Sequence, residues 1–261
     1  MTKLGPSTGK RAVVCVDGIT RAALQRITPD ISWQQYVAWL RTRRDDLSVI
    51  HLRQPHDWWE ILQGRSQSYR ELIKSMVAGV LTEAQPSWQQ VVVLGFSLGG
   101  LSALRVAHEL IQALPQLSLE YAALVTLGTP FRGTGKLTDW LLKYAELDYI
   151  QTIFDVDVTR QLFKELLAYE GVQHLRILLG QIEHDEMVAP SSALLPAEWL
   201  HFATPAPETQ WGTFNLRTTW PLRAHDGLLS DQLALAYIDG LVDGLLPPPA
   251  MLLYEPPVLG T

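Results

Sequence analysis

Val91-Val92-Val93-Leu94-Gly95-Phe96-Ser97-Leu98-Gly99-Gly100 is the stretch that decides how this chain folds. It opens on an unbroken apolar run containing three β-branched residues, the pattern of a short strand buried on both faces of a parallel sheet. The run ends in Gly-x-Ser-x-Gly and passes at once into a helical pattern. A strand that turns sharply into a helix presents the serine on a tight elbow. Glycines flank it because a Cβ at either position would press on the neighbouring strand or helix. The hydroxyl would then stand at the carboxyl edge of the sheet, where a nucleophile is useful. A plain glycine-rich turn is the competing explanation, and it calls for no acid or histidine downstream.

Outward from the elbow, strands and helices alternate. Ala12-Val13-Val14-Cys15-Val16 reads as the first strand, ending at Asp17-Gly18. Ser32 and Gln35 form a capping box, so a helix is expected to about Arg44, with Trp33, Tyr36, Val37 and Leu40 on one face. Residues 47–52 form the next strand. Ser68 and Glu71 make a second capping box before a helix carrying Leu72, Ile73, Met76, Val77 and Val80. After the elbow a helix is expected over 98–113, then strands over 121–127 and 174–180, and an alternating stretch over 213–219. A final helical pattern runs through Leu241. This order means a mostly parallel central sheet with helices on both faces, an α/β fold. One domain over 10–244 is the economical division. A tail over 245–261 contains Pro247-Pro248-Pro249 and Pro256-Pro257 and is expected to be non-helical.

Composition narrows the function. With 261 residues and 47% apolar content the chain can bury a sizeable sheet. A formal charge of −6 and the lack of a basic run argue against a nucleic-acid surface. The single cysteine, Cys15, excludes an internal disulfide, suggests a reducing compartment and reads as a small core residue. The polar first ten residues lack a signal peptide's apolar stretch, and no window approaches a membrane span, so the expectation is a soluble, cytoplasmic protein that would meet lipid only at a surface. Nothing in the sequence points to an oligomeric state.

A serine nucleophile needs a base to take its proton, and the base needs a group to hold its tautomer. Loops at the carboxyl ends of later strands should supply both. The strand ending at Gly180 leads into Glu183-His184-Asp185-Glu186-Met187-Val188-Ala189-Pro190. Asp185 is the orienting carboxylate of choice there, with Glu183 and Glu186 as spare candidates and a solvated acidic turn as the bland alternative. His225 lies in the loop between the last strand and the last helix, and its order after Ser97 and Asp185 makes it the base. His51, His108, His174 and His201 fit worse, the last two being read as strand starts at the opposite edge. His184 could compete but adjoins Asp185. Neither His56-Asp57 nor His184-Asp185-Glu186 has zinc-site spacing, so no metal is expected.

With Ser97, Asp185 and His225 in that order, the chain resembles the α/β-hydrolase superfamily. Within it, the chain is similar to the lipase and esterase branch that includes GPI inositol-deacylase-like serine esterases. The motifs are Gly95-Phe96-Ser97-Leu98-Gly99-Gly100, Leu127-Gly128-Thr129-Pro130-Phe131-Arg132-Gly133-Thr134 and Asp185-Glu186-Met187-Val188-Ala189-Pro190. The resemblance implies hydrolysis of a carboxylic ester through an acyl-enzyme, without a cofactor, on a small-molecule or lipid ester. It also implies that the N–H groups of Leu98 and Ile19 hold the oxyanion. One departure stands out: such lipases usually carry His-Gly after the first core strand, and here it is Asp17-Gly18. A carboxylate there opposes oxyanion stabilisation unless it turns away.

Residues 134–173 read as a helical lid inserted at the substrate's entry edge, or else as two ordinary packing helices. As a lid, Trp140, Leu141, Tyr144, Phe154 and Phe163 would line an acyl pocket, with Met187 adding to it. A thioesterase or acyltransferase on carrier-bound acyl groups, a peptidase on the same fold and a non-catalytic hydrolase-fold binding protein are the alternatives.

Overall fold

Residues 10–18, 33–44, 47–53, 68–84, 88–113, 119–133, 152–219 and 224–245 are described by the structure, a computed structural model. Six strands among them form one sheet: β1 (Arg11–Val16), β2 (Leu47–Leu52), β3 (Gln90–Phe96), β4 (Tyr121–Leu127), β5 (His174–Ile182) and β6 (Thr209–Leu216). Their order is β2-β1-β3-β4-β5-β6, and every adjacent pair is parallel. The chain starts at β1, steps outward to β2, then crosses back to β3 and continues the other way. The direction of winding therefore reverses between β1 and β3, and in an open α/β sheet that switch point is where a crevice opens at the carboxyl ends.

Side-chain alternation splits the core in two. Ala12, Val14, Val16, Val91 and Val93 face one layer; Val13, Cys15, Val92, Leu94 and Phe96 face the other. The first layer is covered by α2 (Tyr69–Glu83), α3 (Leu98–Ala113) and α4 (Val156–Leu167). The second is covered by α1 (Gln34–Arg43) and the C-terminal helix Gln232–Leu245. Trp33, Tyr36, Val37 and Leu40 are buried on the sheet side of α1. Full burial of each such side chain is worth about 1.5–3 kcal/mol. Cys15 is fully buried, and burial pushes its thiol far up, as suits a small core residue.

Local signals act as the sequence implies in several places. Ser68 and Glu71 form a reciprocal capping box at α2, both bonds at 3.3 Å. Trp33 occupies the N-cap of α1 without a side-chain capping bond, and Ser32 lies outside the described residues. Elsewhere the register of neighbours overrides local pattern. β5 runs two residues past Gly180 because β6 pairs with it as far as Ile182↔Leu216. β6 begins at Thr209, well before the alternating stretch, since Leu175↔Thr209 already pairs. His201 ends the short helix Leu195–His201 instead of starting a strand. The last helix extends to Leu245, which is buried and so belongs to the domain and not to the tail; residues 246–261 lie outside the described part.

Of the expected lid, residues 134–151 fall outside the described residues. The remainder is a helix docked on the core. Asp155 caps α4 by accepting from the Val158 N–H at 3.0 Å. Thr159, Phe163, Leu166 and Leu167 are buried on one face. Tyr169 Oη donates to the Ile111 carbonyl at 2.8 Å, and His108 Nε2 meets Glu165 Oε2 at 2.7 Å, both joining this segment to α3. No helix among the described residues is long and apolar enough to cross a membrane.

Candidate active site

Ser97 is the residue between β3 and α3, and its φ is +54°. Only tight packing holds a non-glycine residue in this left-handed conformation. Its N–H donates to the Leu127 carbonyl at 2.9 Å, and its carbonyl accepts from Gly100 N–H at 3.0 Å. The flanking glycines are sterically required. A Cβ on Gly95 would stand 2.5 Å from Gly100 Cα and 2.6 Å from Ala103 Cβ, and a Cβ on Gly99 would overlap the Asp17 carbonyl. The elbow is thus wedged between the exit of β1 and its own helix.

Two further side chains arrive from neighbouring strand ends. Beyond β5, a turn closed by Asp185 N–H donating to the Ile182 carbonyl at 3.3 Å presents Asp185. Asp185 Oδ1 accepts from the N–H groups of Met187 and Val188 at 2.8 and 2.7 Å. Its Oδ2 accepts from His225 Nδ1 at 2.8 Å, and the carboxylate side chain is 1% exposed. His225 Nε2 lies 2.9 Å from Ser97 Oγ. With Nδ1 donating to the carboxylate, Nε2 is the ring's acceptor and the serine hydroxyl the donor. Ser97 and Asp185 follow the ends of β3 and β5, and His225 lies on the short helical turn Ala224–Gly227 beyond β6, brought together although 128 positions separate Ser97 from His225.

Packing fixes the imidazole from behind. The Phe96 ring lies 4.9 Å from it, centroid to centroid. Glu186 Oε2 accepts the His225 backbone N–H at 3.1 Å. Glu186, a spare candidate for the orienting acid, therefore holds the main chain of His225, while Glu183 pairs with Arg217 at 2.8 Å. His184 is exposed with φ +59°.

A second carboxylate closes the histidine loop. Asp231 Oδ2 accepts from the Thr219 N–H and hydroxyl at 2.5 and 2.6 Å. Its Oδ1 accepts from Leu233 and Ala234 N–H at 2.9 and 3.1 Å. Burial disfavours its charge, but these hydrogen bonds outweigh that, so the carboxyl is held below its usual range. Asp231 ties the exit of β6 to the start of the last helix, so the loop that carries His225 is closed at its base. In the sequence, the signal for this role is an Asp just ahead of a helical pattern, a capping position.

The remaining expected site residues are placed as follows. Leu98 opens α3, at the partially positive end of the helix. Ile19, Trp140, Leu141 and Tyr144 lie outside the described residues. Met187 is partly exposed beside Asp185. Phe154 is partly buried against the core. Phe163 is fully buried, its ring 5.5 Å from Phe131 and 6.3 Å from Trp199. It packs the interior between α4 and the loop after β4. The carboxylate of Asp17 turns toward β2, where Oδ2 meets His51 Nε2 at 2.8 Å.

No family model matches the sequence, nor does any curated protein. Among solved structures, the chain is similar to the Pyrococcus furiosus esterase Pf2001 at 13% identity, with 92% of this chain and 82% of that one covered and a TM-score of 0.52. It is also similar to RedJ, a thioesterase from the prodiginine biosynthetic pathway of Streptomyces coelicolor, at 13% identity, 91% coverage of each chain and a TM-score of 0.50. The fold is that of the α/β-hydrolases.

Proposed function

We propose that the protein is a serine hydrolase that cleaves carboxylic esters through an acyl-enzyme, with lipid-like or acylated substrates, after the manner of the lipase and esterase branch. The observation that carries this reading is the unbroken pair of hydrogen bonds from Asp185 through His225 to Ser97, at 2.8 and 2.9 Å. In the proposed reaction His225 Nε2 takes the Ser97 proton as Oγ attacks the ester carbonyl. Asp185, itself locked by two backbone N–H groups, stabilises the imidazolium. The N–H groups of Leu98 and Ile19 hold the oxyanion; each such donor is worth about 3 kcal/mol in the transition state. His225 then returns the proton to the leaving alcohol. Water, deprotonated by the same nitrogen, releases the acid and restores the serine.

A second reading, a thioesterase or acyltransferase on carrier-bound acyl groups, uses the same three side chains. The Streptomyces coelicolor neighbour bears the name thioesterase. Hydrolysis of a p-nitrophenyl ester series of rising acyl length, by wild type and Ser97→Ala, tests the proposal. Turnover in the wild type alone, rising with chain length, supports it. Equal rates in the two proteins remove it. Faster release from matched acyl thioesters favours the second reading. Lack of fluorophosphonate labelling at Ser97 leaves a non-catalytic binding protein on this fold.

A further inference from the structure

Asp17 is gripped on every side. Its Oδ1 accepts the Trp33 N–H at 2.8 Å and its Oδ2 meets His51 Nε2 at 2.8 Å. Its N–H donates to the Leu52 carbonyl at 3.0 Å, and its own carbonyl lies against Gly99. The Trp33 indole N–H adds a bond to the Val16 carbonyl at 3.1 Å. The Asp17 and His51 side chains are 5% and 10% exposed. The next residue, Gly18, abuts the nucleophile: a Cβ on it would stand 3.1 Å from Ser97 Cβ and 3.6 Å from Oγ.

Sheet order gives this arrangement its meaning. β1 lies between β2 and β3. His51 on β2 therefore draws the Asp17 carboxylate away from β3 and Ser97. The same bonds tie the exit of β1 to β2 and to the start of α1.

We propose that Asp17 is a positioning residue and that the Asp17–His51 pair holds the exit of β1, and with it Gly18, in place against Ser97. The proposal rests on the serine-hydrolase reading. It converts an apparent obstacle, an acid where the lipases that this chain resembles carry histidine, into the part that holds Gly18 beside the serine.

Three variants test it: His51→Ala, His51→Gln and Asp17→Asn, each with kcat and KM on a p-nitrophenyl ester and exchange of the Trp33 amide proton by NMR. His51→Ala is expected to lower kcat by about 10–100-fold with KM changed by less than about threefold, since a shift of the backbone beside Ser97 acts on the transition state. The Trp33 amide should exchange faster in the same variant. Asp17→Asn should also lose kcat, and His51→Gln, which keeps a donor, should recover most of it. Should Asp17→Asn fail to fold, the two His51 variants still decide. Unchanged kcat in His51→Ala, or equal losses in the Ala and Gln variants, overturns the positioning role alone. A wild type with no ester turnover and no fluorophosphonate labelling overturns the hydrolase reading, and this proposal with it.

Discussion

Asp185 divides its two carboxylate oxygens between two tasks: Oδ1 takes the N–H groups of Met187 and Val188, and Oδ2 takes His225 Nδ1. The first task fixes the carboxylate in its turn, and the second fixes the imidazole. Asp185→Asn can keep both contacts only by presenting its carbonyl to the backbone and an N–H₂ to the ring, which forces the other tautomer. Nε2 would then carry the proton and could not accept one from Ser97. We expect kcat/KM for ester hydrolysis to fall by about 10⁴-fold. Thermal unfolding of the same variant should move by only a few degrees.

Gly99→Ala sets a methyl group against the Asp17 carbonyl. Neither partner is a flexible side-chain end, so the start of α3 and the exit of β1 must part. A loss of about 1–3 kcal/mol in unfolding free energy is expected, the usual cost of overpacking. The rate of fluorophosphonate labelling at Ser97 should drop as well. Urea titration and labelling kinetics measure the two effects separately.

Asp231 makes a pH prediction with a definite sign. Its carboxyl is held below the usual range in the folded protein. Such a group contributes stability above its unfolded pKa, and that contribution is lost as pH falls through the folded value. Asp231→Asn removes the charge, so the variant should be less stable near neutrality, and the difference from wild type should shrink in acid. Asn keeps the oxygen that caps the helix but sets a donor against the Thr219 N–H and hydroxyl, which costs about 1–3 kcal/mol. Melting temperature followed from neutral to strongly acidic pH shows whether the two curves converge.

Phe163 separates core from pocket. Buried between Phe131 and Trp199, it should cost about 3–5 kcal/mol when truncated to Ala. KM for short esters should hardly change. A stability loss below about 1 kcal/mol with a raised KM for long acyl chains would instead assign its ring to the acyl pocket.

Much of this architecture is written locally. The valine run of β3, the glycine-bracketed Ser97 and the capping box at Ser68 each declare themselves within a few residues, because the constraint is short-ranged. The meeting of Ser97 with Asp185 and His225 was inferable from chain order, since loops at the carboxyl ends of parallel strands converge. Pairings between strands left no such trace. His51 and Asp17 are 34 positions apart, and only the β2-β1 register brings them together. The same limit applies to Glu186, which reads as an alternative acid in sequence and holds the His225 backbone in space. The helix Val156–Leu167 buries Thr159, Phe163, Leu166 and Leu167 and leaves Val158 exposed, and a helical pattern does not name the surface it meets. A docked helix and a cover over a substrate share one pattern, which is how Phe163 could be read as a pocket wall.

One consequence follows from the backbone of Ser97. A left-handed φ at a residue with a side chain opposes folding by about 1–2 kcal/mol. Glycine would relieve it, and Ser97→Gly should melt higher than the wild type while losing the oxygen proposed to attack the ester. Durability and reactivity thus pull in opposite directions at a single atom. A screen for heat tolerance alone would drift toward discarding the hydroxyl, so any hardened descendant of this chain must be counted by its turnover as well as its endurance.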